Sequence, residues 1–187
     1  MKNILITGGA GSIGSALAKR LFLLGKYKIT LVDNLITGSL SNIPEGVRFI
    51  KSDVNNYIEI APIFISGSFD YVFHYSAIVG VERTLSSPTL VLKDIDGIKN
   101  ICDLSKNISI KRVFYSSSSE VYGEPVEIPQ NEDTTTLNSR LTYAIVKIWE
   151  RLIYVHIKRN MDLILLFFVF LIHMVQNKAK TLLFLYL

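Results

Sequence analysis

Short apolar runs alternate along the chain with longer amphipathic segments, and polar turns containing glycine separate them. Residues 3–7 form an apolar run of strand length, and residues 12–24 repeat apolar side chains at helical spacing. The same patterns predict further strands at 28–32, 47–50, 70–74 and 111–115, and helices at about 88–106 and 140–159. Several strands are apolar on both faces, which is typical of parallel strands covered by helices. The pattern predicts an α/β protein with a doubly wound parallel sheet, a Rossmann fold.

Length and composition are consistent with one globular domain, predicted over residues 1–160. The chain has 187 residues, of which 49% are hydrophobic and 19% are charged. Its formal net charge is +4, but 14 basic and 14 acidic residues balance before Lys147, so we expect no nucleic-acid surface. The single cysteine excludes an internal disulfide and suits a cytoplasmic location. No cluster of metal-ligating residues stands at ligand spacing, so we expect no metal site.

Three glycines join the first strand to the first helix. Gly8, Gly11 and Gly14 follow the apolar run directly, and Ser12 and Ile13 lie between the last two. In such a turn we expect Gly8 to permit the bend, Gly11 to let phosphates approach the backbone and Gly14 to let the helix pack on the strand. The helix N-terminus then offers N–H groups to a diphosphate. A glycine turn without a ligand is the alternative.

Asp33 supports the dinucleotide interpretation. It ends the second strand 19 residues after Gly14, where a carboxylate accepts hydrogen bonds from an adenosine ribose. An acid at this place repels the 2′-phosphate of NADP. The predicted cofactor is therefore NAD.

A second group of candidate residues follows the fifth strand. Tyr143 and Lys147 are four residues apart on a predicted helix and share a face. An ammonium near a phenol favours the phenolate, which could act as a general base. A serine cluster at 116–119 lies where ligands bind in such sheets. Such a pair can also be an ordinary surface pair. It indicates a catalytic site only in combination with the glycine turn and the serine cluster.

Six motifs in order resemble the extended short-chain dehydrogenase/reductase family, in its branch of NAD-dependent nucleotide-sugar epimerases and dehydratases. They are the glycine turn, Asp33-Asn34, Asp53-Val54, His74-Tyr75-Ser76-Ala77, Ser116-Ser117-Ser118 with Val121-Tyr122-Gly123, and Tyr143-x-x-x-Lys147. The resemblance implies that Ser118 hydrogen-bonds a sugar hydroxyl, that Tyr143 removes its proton and that Lys147 holds the nicotinamide ribose. It also implies cofactor contacts from Asn34, Asp53, Val54, Ala77 and Ile78.

Departures from the family's motifs limit which of the family's reactions are expected. Dehydratases of this branch carry an Asp-Glu pair after the serine, whereas this chain has Ser119-Glu120, so dehydration is disfavoured. The Ser-Glu arrangement is similar to UDP-glucuronate decarboxylases and to some epimerases, and Glu120 is a candidate acid/base or a local cap. Asp94 replaces a usual Asn and brings a charge toward the cofactor. Val79 replaces the lysine of UDP-galactose 4-epimerases, so that specific enzyme is not predicted.

The tail, residues 161–187, departs from the family after its start. We expect a sixth strand followed by out-of-frame sequence, because codons can be chosen for 170–179 that encode Phe-Asn-Thr-Tyr-Gly-Pro-Lys-Gln-Gly, which contains the family's motif, in another frame. Coding DNA that cannot encode this motif would refute the idea. A membrane span is the alternative, but 163–175 holds only 13 residues without charge against the roughly 20 required.

The resemblance predicts an enzyme that oxidises a nucleotide sugar transiently with bound NAD, here without its C-terminal substrate lobe. UDP-, dTDP- or GDP-linked sugars are the expected substrates. Homodimers are usual in the family through a helix pair that would include residues 140–159. The alternatives are a UDP-glucuronate decarboxylase-like enzyme, a non-catalytic NAD-binding module, or the inactive product of a gene fragment.

Overall fold

Strands and helices alternate along the chain, as the hydrophobic pattern predicts. A computed structural model describes residues 1–124, 130–131, 134–160, 164–175 and 178–185. Two 3-10 turns, at Leu40–Asn42 and Ser119–Tyr122, supplement the regular elements. The order is β1 (Lys2–Thr7), α1 (Ser12–Leu23), β2 (Tyr27–Asp33), β3 (Arg48–Lys51), α2 (Tyr57–Gly67), β4 (Tyr71–His74), α3 (Val81–Ser86), α4 (Pro88–Leu92), α5 (Asp94–Asn107), β5 (Arg112–Ser118), α6 (Thr142–Asn160), β6 (Ile164–Val175) and β7 (Lys178–Leu185).

The strands form one sheet in the order β3-β2-β1-β4-β5-β6-β7. The first six pair in parallel, and β7 pairs antiparallel with β6. Because β1 lies between β2 and β4, the chain winds outward in both directions from β1. This confirms the predicted doubly wound sheet and places a crevice at the carboxyl ends of β1 and β4.

The core covers both faces of the sheet. Successive side chains of a strand point to opposite faces, and accordingly Leu5 belongs to one apolar cluster whereas Ile4 and Ile6 belong to the other. The cluster of Leu5 includes Phe64 of α2, Ile101 of α5 and Val146 of α6. The cluster of Ile4 and Ile6 includes Ala18 of α1. Helices therefore pack on each face of β1 and exclude water from it.

The prediction of one continuous helix over 88–106 is wrong. This segment forms two helices, α4 and α5, which meet at Lys93. The Lys93 N–H donates to Leu90 O, and the Asp96 N–H donates to Lys93 O, so bonds to the third preceding residue replace the α-helical pattern there. Immediately after this point, the Asp94 carboxylate accepts a hydrogen bond from the Ile78 N–H at 2.7 Å.

Helix α2 is absent from the sequence prediction, although its start carries a recognisable signal. Asn56 caps the helix by accepting from the Ile58 N–H, and its amide donates to Glu59 Oε1. An N-cap followed three residues later by Glu is a capping signature. Pro62 lies inside the helix, and because proline is unfavourable there, the sequence did not predict a helix at this place. The structure also adds α3 and β7, which were not predicted.

The tail forms two strands at the sheet's edge. The predicted sixth strand is present: β6 pairs with β5 from Arg112↔Ile164 to Ser118↔Phe170. Its second half pairs with β7 from Phe168↔Leu185 to Val175↔Lys178. The boundary predicted at residue 160 therefore separates α6 from a strand of the same sheet.

Candidate functional site

A cavity of about 480 Å³ opens where the carboxyl ends of β1 and β4 meet. Most of the residues singled out in the sequence line it, and they come from segments far apart in the chain. These are Gly8, Gly11, Ser12, Ile13, Gly14, Asp33, Asn34, Asp53, Val54, Ala77, Ile78, Ser118 and Tyr143. Lys147 and Glu120 do not line it. Parallel strands bring these residues together because their carboxyl ends share one edge of the sheet.

The glycine turn is shaped by backbone that side chains would obstruct. Gly8 has φ +67°, and a Cβ there would lie 2.7 Å from the Tyr75 carbonyl carbon. A Cβ on Gly14 would collide with the Gly8 carbonyl oxygen. Both positions therefore require glycine. The turn lets α1 begin directly against β1, with no side-chain cap and no acid in its first turn. Ser12, Ile13 and Gly14 at its start line the cavity, and the first N–H groups of a helix have no partner within the helix.

Asp33 is buried at the end of β2, and backbone hydrogen bonds fix its carboxylate. Oδ2 accepts from the Ala10 N–H at 3.0 Å, and Oδ1 accepts from the Leu35 N–H at 2.8 Å. Leu35 itself adopts a left-handed backbone conformation, with φ +65°. Each carboxylate oxygen has more than one lone pair, so both can accept a further bond from a ligand.

Three buried polar atoms that belong to cavity-lining residues have no hydrogen-bond partner within the described part of the chain. They are Ser52 Oγ, Asn55 Oδ1 and Ser117 Oγ. Buried polar groups without partners cost free energy, so such groups at a cavity indicate a polar ligand or water. Sequence reasoning missed Ser52 and Asn55. The available signal was their position on either side of the Asp53-Val54 motif.

Asp94 lines the same cavity from the start of α5. Burial raises the pKa of its carboxyl, while the Ile78 N–H, the charge of Lys147 and the Asn55 side chain partly oppose the shift. An amide oxygen could accept the same bond from Ile78. The Asp94 carboxyl therefore fixes the Ile78 backbone at the wall of the cavity.

The serine cluster forms the end of β5 rather than a loop after it. Ser116, Ser117 and Ser118 all line the cavity, and Ser118 Oγ accepts from the Glu120 N–H at 3.3 Å. Glu120 follows in the 3-10 turn, where its side chain is exposed to solvent. The sequence neighbours therefore separate: Ser118 faces the cavity, and Glu120 lies outside its lining.

Helix α6 brings Tyr143 to the cavity and places Lys147 behind it. Lys147 is 4% exposed, and its Nζ lies 2.9 Å from Oε2 of Glu150, which is 2% exposed. Burial alone lowers the pKa of Lys147, but Glu150, Tyr143 and Asp94 outweigh this and raise it. Sequence reasoning missed Glu150. Its signal was the spacing of three residues after Lys147 on the same helix face.

His74 supports the floor of the site at the end of β4. Its Nδ1 lies 2.7 Å from Thr7 Oγ1, at the end of β1, and the ring is buried. Burial, with a smaller effect from the charge of Lys147, lowers the pKa of His74 to about 3. The neutral imidazole therefore joins the two strand ends by a hydrogen bond.

Within the described residues, no group of three or more His, Cys, Asp or Glu side chains could hold a metal ion. Among the helices of the described segments, none is long and apolar enough to cross a membrane.

Comparison with known protein families gives one extended match. The family model of the NAD dependent epimerase/dehydratase family matches residues 4–172. That range includes the glycine turn, the strand-end residues and Tyr143 with Lys147.

Individual relatives agree with this match. A putative UDP-arabinose 4-epimerase 4 of Arabidopsis thaliana is 34% identical over 142 residues, which cover 71% of this chain and 32% of the relative. UDP-glucuronic acid decarboxylase 1 of Danio rerio is 35% identical over 133 residues, 71% of this chain and 31% of the relative. The chain thus spans about a third of the length of these curated relatives.

Solved structures share the fold. The crystal structure of a UDP-glucose 4-epimerase of Thermus thermophilus in complex with NAD superposes with a TM-score of 0.82 at 25% identity. The superposition covers 88% of this chain and 53% of that chain.

Proposed function

The chain belongs to the NAD dependent epimerase/dehydratase family, and on this premise we propose that its cavity binds NAD for the oxidation of a nucleotide sugar. The curated relatives include UDP-sugar 4-epimerases and UDP-glucuronic acid decarboxylases. Because the chain spans only part of their length, the reaction itself is part of the proposal.

The glycine turn at the N-terminus of α1 is the observation that carries the proposal. A diphosphate needs backbone N–H donors and no acid or side chain in its way, and the first turn of α1 meets both conditions. Asp33 offers carboxylate lone pairs to a ribose at the end of β2. Ser52, Asn55 and Ser117 each have a buried polar atom without a partner among the described residues, and these atoms offer further polar contacts. The described residues therefore fit a dinucleotide.

The roles of the lining residues follow from their chemistry and position. We assign Ser12, Ile13 and Gly14 to the pyrophosphate, together with Gly8 and Gly11. Asp33 and Asn34 would hold the adenosine ribose, and Asp53 and Val54 the adenine. Ala77 and Ile78 would form the wall between the two halves.

In the proposed reaction, Tyr143 removes the proton of a sugar hydroxyl while Ser118 donates a hydrogen bond to that oxygen. Bound NAD would supply the acceptor for the hydride of the sugar carbon. The Lys147 ammonium stabilises the phenolate by its charge and holds the nicotinamide ribose. Both Tyr143 and Ser118 line the cavity, so a hydroxyl placed there could reach them.

A decarboxylase-like reaction is the second candidate, and Glu120 is the observation that favours it. The Ser119-Glu120 sequence lacks the Asp-Glu pair expected of dehydratases, and a decarboxylase is among the relatives. The exposed carboxylate of Glu120 would serve as an acid/base only when a substrate reaches the end of β5.

Substrate and assembly complete the proposal. We infer a UDP-linked sugar from the relatives, and dTDP- and GDP-linked sugars remain predictions. We also infer a homodimer through α6, whose outward side carries Ile145 and Leu152 exposed to solvent, next to the exposed Leu141 that immediately precedes the helix. The cytoplasmic location remains a prediction that rests on the single cysteine.

Calorimetric titration of the full chain tests the cofactor. We expect NAD to bind and NADP to bind at least tenfold more weakly, because Asp33 repels the 2′-phosphate. The Asp33→Asn variant should bring the affinities for NAD and NADP closer together. Absence of any NAD binding by folded protein would refute the proposal.

Addition of UDP-sugars to the NAD complex tests the reaction. Fluorescence of NADH on adding UDP-glucose or UDP-glucuronate would support an enzyme and indicate which of the two candidates is correct. NAD binding without this signal would favour the non-catalytic module. A chain that shows no cooperative unfolding would support the inactive gene product.

A further inference from the structure

Three ionisable side chains share one face of α6 and form a line that begins at the cavity. Tyr143, Lys147 and Glu150 stand four and three residues apart, which brings them onto the same side of the helix. Tyr143 lines the cavity, whereas Lys147 and Glu150 are buried outside its lining and form an ion pair with each other. Glu150 is thus the ion-pair partner of the lysine that is proposed to act on the cofactor.

The buried position makes the charge of Lys147 dependent on its neighbours. An isolated ammonium at this depth would lose its proton rather than remain charged. The carboxylate of Glu150 lies 2.9 Å from Nζ and provides the largest opposing effect on the pKa of Lys147. Tyr143, on the same helix, and Asp94, from α5, act in the same direction.

The other groups that face this pair do not replace Glu150. His74, from β4, is neutral because burial lowers its pKa to about 3. Burial raises the pKa of Glu150 to about 7, against the attraction of Lys147, so its carboxylate is ionised above that pH. In mildly alkaline solution, Glu150 therefore provides the nearest full negative charge to the ammonium among the described residues.

We propose that Glu150 is a positioning residue that holds the Lys147 ammonium in place and keeps it charged behind the cavity. This inference rests on the proposed function, in which Lys147 acts on bound NAD and Tyr143. An ammonium has three N–H donors. The ion pair with Glu150 holds Nζ 2.9 Å from Oε2, and the N–H groups of the ammonium would also serve the ribose and the phenolate.

The pH dependence of NAD affinity distinguishes this role from simple packing. With Glu150 present, Lys147 stays charged, so we expect the dissociation constant of the wild type to change less than twofold between pH 7.5 and 9.5. In Glu150→Gln, the largest effect that opposes burial is lost and only Tyr143 and Asp94 remain, so Lys147 should lose its proton within this range. We expect its NAD affinity to fall at least fivefold as the pH rises.

Two matched variants control the measurement. Asp103→Asn removes a carboxylate from an exposed position of α5 and should reproduce the wild-type profile. Lys147→Met should give a weak, pH-independent affinity, and the Lys147→Met/Glu150→Gln double variant should match it, because Glu150 acts through Lys147.

The outcomes distinguish a failure of the proposed function from a failure of the role given to Glu150. Wild-type protein that binds no NAD refutes the proposed function and this inference with it. NAD binding with parallel profiles for wild type and Glu150→Gln refutes the role of Glu150 alone. If Glu150→Gln fails to fold, restoration of folding by adding Lys147→Met supports the inference, because the defect is then an uncompensated charge. Failure of the double variant to fold would overturn it.

Discussion

At the residue scale, Gly14 has the most restrictive environment in the site. A Cβ there meets the Gly8 carbonyl oxygen, which is backbone and cannot rotate away. We expect Gly14→Ala to shift α1 from β1 and lower NAD affinity at least tenfold, a loss of about 1.4 kcal/mol. Calorimetric titration measures this directly.

Gly25 supplies the matched control at the other end of α1. Its φ is +64°, but a Cβ there meets nothing within 4 Å. Gly25→Ala should cost about 1 kcal/mol of folding free energy through the backbone conformation and leave NAD affinity unchanged. Equal losses of affinity in both variants would contradict the special role of Gly14.

His74 predicts a pH-dependent stability at the same scale. Its folded pKa of about 3 lies below the ordinary value of 6.5, so the unfolded chain binds more protons between these values. Stability therefore falls as the pH decreases through 6.5, by about 2 kcal/mol between pH 7 and pH 5. Urea unfolding of wild type and His74→Asn at both pH values isolates this effect.

Comparing wild type with His74→Asn also cancels the opposing effect of Glu150 on the pH dependence of stability. The pKa of that carboxyl is raised to about 7, so its contribution favours the fold as the pH decreases. In His74→Asn, only the His74 effect disappears. If the two proteins change equally between pH 7 and pH 5, His74 is not the group that titrates.

At the element scale, the sequence predicted the parts whose hydrophobic pattern is regular. Strands β1, β2 and β4 were predicted from short apolar runs, and helix α1 was predicted from apolar side chains at helical spacing. Helix α2 was missed because Pro62 and apolar residues on all sides hide its helical period. The division at Lys93 was missed because a tertiary hydrogen bond, Ile78 to Asp94, lies beside it.

For the candidate site, too, prediction depended on whether a residue's role follows from local sequence or from tertiary contacts. Gly8, Gly14 and Asp33 could be found because the chemistry is tied to fixed spacing along one strand–turn–helix unit. Glu150 and Ser52 had only weak positional signals, because their importance comes from burial and from tertiary surroundings. Whether Lys147 faces the cavity or a carboxylate depends on packing, which sequence spacing does not specify.

The pairing of β6 with β5 leads to a prediction for the tail. Seven residues of β5 pair with Ile164–Phe170, so a chain ending at residue 160 would leave a central strand as an open edge. We expect this truncation to lose soluble yield and cooperative unfolding. A chain ending at residue 175 keeps β6 and should still unfold cooperatively. Equal behaviour of the two truncations would show that β6 does not contribute to the fold.

At the scale of the whole molecule, α6 joins the site to the proposed dimer. Its inward side carries Tyr143 and Lys147. Its outward side carries Ile145, Ile148 and Leu152, which form a stripe with Leu141 immediately before the helix. Leu152 is 59% exposed and Ile145 is 48% exposed. A stripe at this spacing is the pattern by which helices pack on one another, and a two-fold axis would bury it twice.

Leu152→Glu should therefore separate the dimer. Each Leu buried in an interface contributes about 1.5–3 kcal/mol, and symmetry doubles the loss, so we expect dimer affinity to fall at least 100-fold by sedimentation equilibrium. Ile58→Glu is the matched control because Ile58 is 83% exposed on α2, outside the stripe. That variant should remain dimeric. Since the stripe faces away from the cavity, NAD affinity of the Leu152→Glu monomer should stay within twofold of wild type. A coupled loss of dimer and cofactor binding would instead mean that α6 holds Tyr143 and Lys147 in place only when a second copy packs on it.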